Sequence, residues 1–234
     1  MYVGKKIKRV DAFDKVTGRA KFTEDLVPKD AYTAKIYHST IAHGKVLSID
    51  IKEAMEVPGV VKIVTCFDVP NIQFPTAGHP WSTEKDHQDV ADRLLLNEHV
   101  RYYGDDVAVV IGRDEVACKQ ALKKIVVEYE EYPANFDALD SMKDVKVPIH
   151  EESPDNILKH TTNNRGDFEE AIKEEGLIKV VGDYETPIIS HAHLENPDVY
   201  AYEKSGKIVV VASTQIPRII RRVVGQALGL GWGK

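Results

Sequence analysis

One stretch limits the choice of fold more than any other: Val209 to Gly229, VVVASTQIPRIIRRVVGQALG. Val209, Val210 and Val211 are β-branched in succession and predict a buried strand. Ser213, Thr214 and Gln215 form a polar junction. Pro217 then opens a helix, because proline in the first turn lacks only an N–H that has no helical partner. Ile220, Val224, Ala227 and Leu228 share one helical face, with Ile219 and Val223 beside them. Gly229 is suited to end the helix in the left-handed conformation. A strand that runs straight into a helix presents the side chains between them on rigid scaffold, where chemistry is better placed than on a loose loop. From the residues alone, Gln215 has two readings: a helix cap or turn former, or a functional group presented at a strand end.

The chain before this stretch reads as mixed α/β. Residues 1 to 31 are turn-rich, with a weak strand at Ala20 to Thr23. Strands are predicted at Tyr32 to Ser39, Val46 to Ile51, Val60 to Thr65 and Asp106 to Gly112, with shorter candidates at Leu94 to Leu96 and Val100 to Tyr102. Lys52 to Val57 reads as a short helix. Asp114 is the N-cap of a helix that runs to about Lys124, because its carboxylate can accept from open backbone N–H groups. Ile125 to Tyr129 is a further strand. Asp68 to Asp92, long, polar and rich in Pro, Gly and His, reads as either an exposed loop or a segment that covers something else. Residues 133–165 read as a linker, and Asp167 to Glu175 as a short acidic helix. Strands follow at Ile178 to Glu185, Ile188 to Leu194, Asp198 to Glu203 and Lys207 to Ala212, the last two joined by a Gly-containing hairpin turn. The chain reaches Lys234 without the strand expected after the last helix, and reads as stopping short of the rest of its site.

Several chemistries are disfavoured by inspection. The formal net charge is −6, which argues against general nucleic-acid binding; Arg218, Arg221 and Arg222 read as the solvated or partner-facing side of a helix. Cys66 and Cys118 stand far apart, so there is no CxxC pair for zinc or iron–sulfur ligation. They read as small buried side chains in a reducing compartment. No apolar run approaches the ~20 residues that span a bilayer, and no signal peptide is visible, so a cytoplasmic location is expected. His191, His193 and Glu195 would share a face of a strand, which suits either a metal or ordinary polar packing. The acidic pairs Asp105-Asp106 and Glu130-Glu131 point to opposite faces of their strands and make no carboxylate dyad; they read as solvated turn residues. The glycines around Trp232 follow a helix, whereas a phosphate cradle precedes one.

A set of short motifs in order carries more information than any of these. Arg9-Val-Asp11 and Asp14-Lys-Val-Thr-Gly-Arg-Ala20 come first. Ser39-x-x-Ala-His-Gly44, Pro58-Gly-Val60 and Asp68-Val-Pro70 follow, then Tyr103-Gly-Asp-Asp-Val-Ala108 and Val127-Glu-Tyr-Glu130. His191 to Asp198 and Ser213-Thr-Gln-Ile-Pro217 complete the series. End to end, the chain resembles the molybdenum-binding subunit of the xanthine dehydrogenase and aldehyde oxidase family, most of all the bacterial xanthine dehydrogenases.

The resemblance implies an α+β chain: an α/β hammerhead domain over residues 1–132, the linker 133–165, and the β-rich start of a truncated molybdopterin-binding domain over 166–234. It implies a molybdenum–molybdopterin cofactor in the full-length subunit, iron–sulfur and FAD groups on partner subunits, and water-dependent hydroxylation of a purine or related heterocycle; an aldehyde or another N-heterocycle is the alternative substrate. It places Gln215 beside the molybdenum, hydrogen-bonded to one of its oxygen ligands, a role that suits a neutral amide. The general-base glutamate and most cofactor contacts lie beyond Lys234 on this reading. The isolated chain is therefore expected to carry no catalytic residue, to bind no molybdenum and to be inactive. The other function class is a non-catalytic assembly module that docks iron–sulfur and flavin subunits, with the loop Asp68 to Asp92 and the segment near Asp167 as contacts.

Overall fold

The computed structural model describes residues 3–75, 83, 90–158, 160 and 162–231. Most of the second half of the expected loop Asp68 to Asp92, and the glycine-flanked Trp232, lie outside the described residues. The elements are α1 (Ala12–Val16), a 3-10 turn (Glu24–Leu26), β1 (Thr33–His38), β2 (Gly44–Asp50), α2 (Lys52–Met55), β3 (Val60–Thr65), β4 (His99–Val100), β5 (Asp106–Gly112), α3 (Glu115–Leu122), β6 (Val126–Glu131), α4 (Ala138–Lys143), α5 (Phe168–Ala171), β7 (Val199–Lys204), β8 (Lys207–Ala212) and α6 (Pro217–Ala227). This is an α+β chain. It divides into two compact units: Met1–Thr76, Ala91–Tyr132 and Leu194–Lys234 form one, and Ala77–Val90 with Pro133–His193 form the other.

The first unit is built around β5. This strand pairs antiparallel with β1 on one side and β3 on the other. Successive strand residues face opposite ways, so Val107 and Val110 serve two cores. Val110 packs with Ala54, Val57, Ile63, Cys118, Ala121 and Ile125. Val107 packs with Val46, Cys66, Leu96 and Val100. Asp114 caps α3 as predicted, accepting the Ala117 N–H at 2.8 Å. Small residues let the helix lie close: a Cβ on Gly112 would meet Cys118 Sγ at 2.9 Å. Burial pushes the Cys118 thiol up, and the Cys66 thiol up to about 11, so neither is a reactive thiolate. The second sheet has the order β4-β2-β6. At its end the His43 and His99 Nε2 atoms lie 3.1 Å apart, and Tyr132 sets its ring edge-on against both. One ring nitrogen of the pair must donate and the other accept.

Lys35 on β1 and Lys119 on α3 both reach Glu115, each at 2.9 Å. Together, Lys35 foremost, they hold the Glu115 carboxyl down to about 2 from its ordinary 4.5. A depressed folded pKa contributes stability that is present above the unfolded value and is lost as the pH falls through the folded one. Acid titration of stability is expected to be shallower in Glu115→Gln than in the wild type between pH 4.5 and about 2. Equal slopes in circular-dichroism melts across that range would count against these ion pairs.

The second unit is held by local side-chain bonds. Asp137 caps α4 through the Leu139 and Asp140 N–H groups, and Asp167 caps α5 through Glu170 N–H. Asn156, in the left-handed region at φ 58°, accepts from Ile149 N–H and donates to the Ser141 carbonyl. Five expectations fail here and in the first unit. The strands predicted at Ile178 to Glu185 and Ile188 to Leu194 do not form. Their apolar side chains stand exposed, Ile178 at 90%, and no neighbouring strand among the described residues pairs with their backbone. A β-rich pattern is satisfied only against a second strand. Leu94 to Leu96 is no strand either: Leu96 is buried by packing alone. Ala20 to Thr23 is irregular, and helix α1 occupies what reads as a turn.

Candidate functional site

The candidate site is the junction between β8 and α6. Strands β7 and β8 pair from Val199↔Ala212 to Lys204↔Lys207. Ser205 and Gly206 both have positive φ, 55° and 74°, the conformation that a two-residue I′ turn requires and that matches the strand twist. The pairing extends one residue past β8: Ser213 N–H donates to the Asp198 carbonyl at 3.0 Å, and Asp198 N–H donates to Ser213 Oγ at 2.9 Å. Thr214 Oγ1 then accepts the Ile216 N–H at 3.1 Å. Pro217 stands in the first turn of α6. At the far end Leu230 N–H reaches the Gly225 carbonyl and Gly229 N–H the Gln226 carbonyl, with Gly229 at φ 64°. That pair of bonds is a Schellman termination, so the glycine does what its position predicts.

Gln215 lies between these anchors and is exposed. Its neighbours Thr214 and Pro217 line a cleft of about 490 Å³ between β8 and α6, together with Ile208, Val210, Arg221 and Val224. The apolar helix positions Ile220 and Val224 therefore face the cleft and are only half-buried. A second side of α6 is the more buried one, through Arg222, Gly225 and Ala227. Arg218 and Arg221 are exposed as expected of a solvated face, but Arg222 is only 7% exposed; its long methylene stem makes such burial feasible.

The histidine motif is not a strand. Ala192 has φ 48°, which breaks the alternation that would have put His191, His193 and Glu195 on one face. The His191 and His193 rings lie 5.2 Å apart within the second unit. Glu195, in the first unit, gives its carboxylate to the backbone N–H of Thr23 at 2.9 Å. Among the described residues no cluster of three or more His, Cys, Asp or Glu is arranged to hold a metal ion. The junction presents an exposed, uncharged amide that can both donate and accept hydrogen bonds.

Sequence reasoning missed Asp105 as a structural centre. Rather than lying in solvent, it is 2% exposed and accepts from Asn97 Nδ2 at 2.7 Å, Asp106 N–H at 3.0 Å and Arg101 N–H at 3.1 Å. Burial, above all, raises its pKa. The only local signal was the turn Tyr103-Gly104 before it, with Gly104 at φ 94°.

Residues 17–133 match the family described as aldehyde oxidase and xanthine dehydrogenase, a/b hammerhead domain. Residues 149–234 match the molybdopterin cofactor-binding domain. The chain is 43% identical to the xanthine dehydrogenase molybdenum-binding subunit of Escherichia coli O157:H7 over 96% of its own length and 30% of that protein's. It is 30% identical to the nicotinate dehydrogenase large molybdopterin subunit of Eubacterium barkeri, over 97% of its length and 51% of the relative's. Among solved structures, the aldehyde oxidoreductase of Desulfovibrio gigas superposes with a TM-score of 0.84 at 26% identity, covering 98% of this chain and 26% of that one. The chain thus spans about a third of the length of the xanthine dehydrogenase subunit it matches. Two domain matches in sequence order, the first spanning half of the residues, carry the conclusion that the chain belongs to the aldehyde oxidase and xanthine dehydrogenase family.

Proposed function

We propose that this chain is the hammerhead and early cofactor-binding part of a molybdenum hydroxylase that adds oxygen from water to a purine or related N-heterocycle. The observation that carries the substrate class is the gradient of identity: 43% with a xanthine dehydrogenase molybdenum-binding subunit, against 28% with aldehyde oxidase 2 of Macaca fascicularis. Nicotinate, another N-heterocycle in the name of a relative at 30%, is consistent with the broader class. The molybdopterin cofactor, when bound, supplies the centre that takes up electrons from the substrate. Gln215 is the residue of this chain that we assign to it. Its side-chain amide, three residues past β8, would donate to an oxygen ligand of the metal when the cofactor is bound, where a donor held in place would stabilise charge developing in the transition state. Iron–sulfur and FAD groups sit on partner subunits, and the assembly works in the cytoplasm, in keeping with two free buried thiols.

The test is kinetic, in the assembled enzyme that carries this sequence. Gln215→Ala is expected to lower kcat on a purine about a hundredfold, the effect of removing one such donor, with molybdenum content unchanged. A kcat equal to the wild type would refute the role of Gln215. Turnover of aldehydes but not of purines or pyridine carboxylates would refute the substrate class. A second reading, a non-catalytic docking module, is favoured by the exposed apolar side chains of residues 177–194. It predicts that the chain alone retains iron–sulfur and flavin subunits in a pull-down, and their absence would dismiss it.

A further inference from the structure

We infer that Glu195 and Ser213 are positioning residues that fix the Gln215 junction to the N-terminal part of the first unit. The line of contacts is continuous. Thr23 is buried, and its N–H donates to Glu195 Oε1 at 2.9 Å, across 172 residues of sequence. The residue after Glu195, Asn196, presents its carbonyl 3.4 Å from Ser213 Oγ, and the Asp198 carbonyl lies 3.3 Å from the same hydroxyl. Asp198 N–H in turn donates to Ser213 Oγ at 2.9 Å. The Ser213 hydroxyl thus closes the segment 196–198 against the end of β8, two residues before Gln215. A second tether lies at the other end of α6. Gln226 Nε2 reaches the Gln73 carbonyl at 3.4 Å, and a Cβ on Gly229 would meet Ile72 Cδ1 at 3.3 Å. Both anchors, Thr23 and the 72–73 loop, belong to the N-terminal portion of the unit. The Gln215 junction is held from both sides by sequence far from it.

The Thr23–Glu195 bond has a charged acceptor and a part-buried setting, which makes it the stronger tether. Its loss frees the 196–198 segment, and Ser213 with it. A donor that stabilises a transition state must be held in place before the reaction. The functional consequence rests on the assignment of Gln215 to the cofactor; the tether itself does not.

The experiment is hydrogen exchange on the 234-residue chain, resolved by peptide. Glu195→Ala is expected to speed exchange at residues 21–25 and 213–216 about tenfold, the equivalent of one lost charged hydrogen bond. Exchange across β5, residues 106–112, is expected to stay at the wild-type rate. Glu195→Gln keeps an acceptor oxygen and is expected to restore most of the protection. Should Glu195→Ala fail to fold, Ser213→Ala interrupts the same line without touching Thr23, and the same acceleration at 213–216 is expected. Unchanged exchange at 213–216 in the folded variants overturns the inference, as does an equal acceleration in β5. Either failure leaves the kinetic result for Gln215→Ala standing on its own, and a null kinetic result leaves the tether standing.

Discussion

Gly44→Ala is expected to cost about 3 kcal/mol or more, at the upper end of what overpacking causes. A Cβ there would sit 2.3 Å from the Glu130 carbonyl oxygen, 2.7 Å from Ile41 Cδ1 and 3.2 Å from the Glu130 carbonyl carbon. The nearest obstacle is backbone, in the strand with which β2 pairs, so no side chain can swing away. Relief requires β2 and β6 to part, which breaks ladder hydrogen bonds where His43 and Tyr132 meet. Gly231→Ala, with nothing within 4 Å of its Cβ, is the control and is expected to stay within about 0.5 kcal/mol of wild type. Thermal melts of both variants, with hydrogen exchange on the β2 and β6 amides, check the contrast. A Gly44→Ala chain as stable as Gly231→Ala would show that the strands accommodate the methyl group.

The second large effect is expected at Asp105→Ala, at about 4 kcal/mol. The substitution removes the acceptor of three donors at once: the Asn97 side-chain amide and the backbone N–H groups of Arg101 and Asp106. A buried donor left unsatisfied costs about 1–3 kcal/mol. The loop 97–106, which carries β4, is expected to loosen with it. Asp105→Asn keeps one oxygen and is expected to lose roughly half as much. The pH dependence has a sign of its own. Burial raises the Asp105 pKa, so its contribution is fully present below the unfolded value and declines as the pH rises through the folded one. The gap in stability between wild type and Asp105→Asn is therefore expected to widen as the pH falls through the carboxylate range. Denaturant melts at several pH values measure it, and a gap that narrows on acidification contradicts burial as the cause.

These two positions mark the border of what a linear reading can find. Ala42-His-Gly44 reads as a turn, and glycine there is unsurprising. That the carbonyl of Glu130 excludes any other residue depends on a strand 86 positions away in sequence. Asp105 reads as one of two solvated acids at a strand start. It is buried because three donors converge on it, and convergence has no local signature beyond a preceding glycine.

Where local chemistry decides, sequence and structure coincide. The strands Val60–Thr65, Asp106–Gly112 and Lys207–Ala212 lie where the apolar runs lie. Asp114 caps α3, Pro217 opens α6 and Gly229 closes it. Each of those outcomes follows from the bonding needs of a few adjacent residues. The segment 178–194 shows the opposite case. Its composition suits strands, yet no described strand pairs with it, and its residues stay exposed.

By itself, the sequence determined the strands β3, β5 and β8 and the helices α3 and α6, the polar junction at Ser213-Thr214-Gln215 and, through its ordered motifs, the family. Only the tertiary structure decided that Arg222 is buried, that Asp105 organises a loop, and that Glu195 serves a backbone amide rather than a metal. The physical reason is the range of the forces involved. Propensity, capping and turn geometry act within about one helical turn. Burial and long-range hydrogen bonds depend on which distant residues the folded chain brings together, as it brings Thr23 to Glu195.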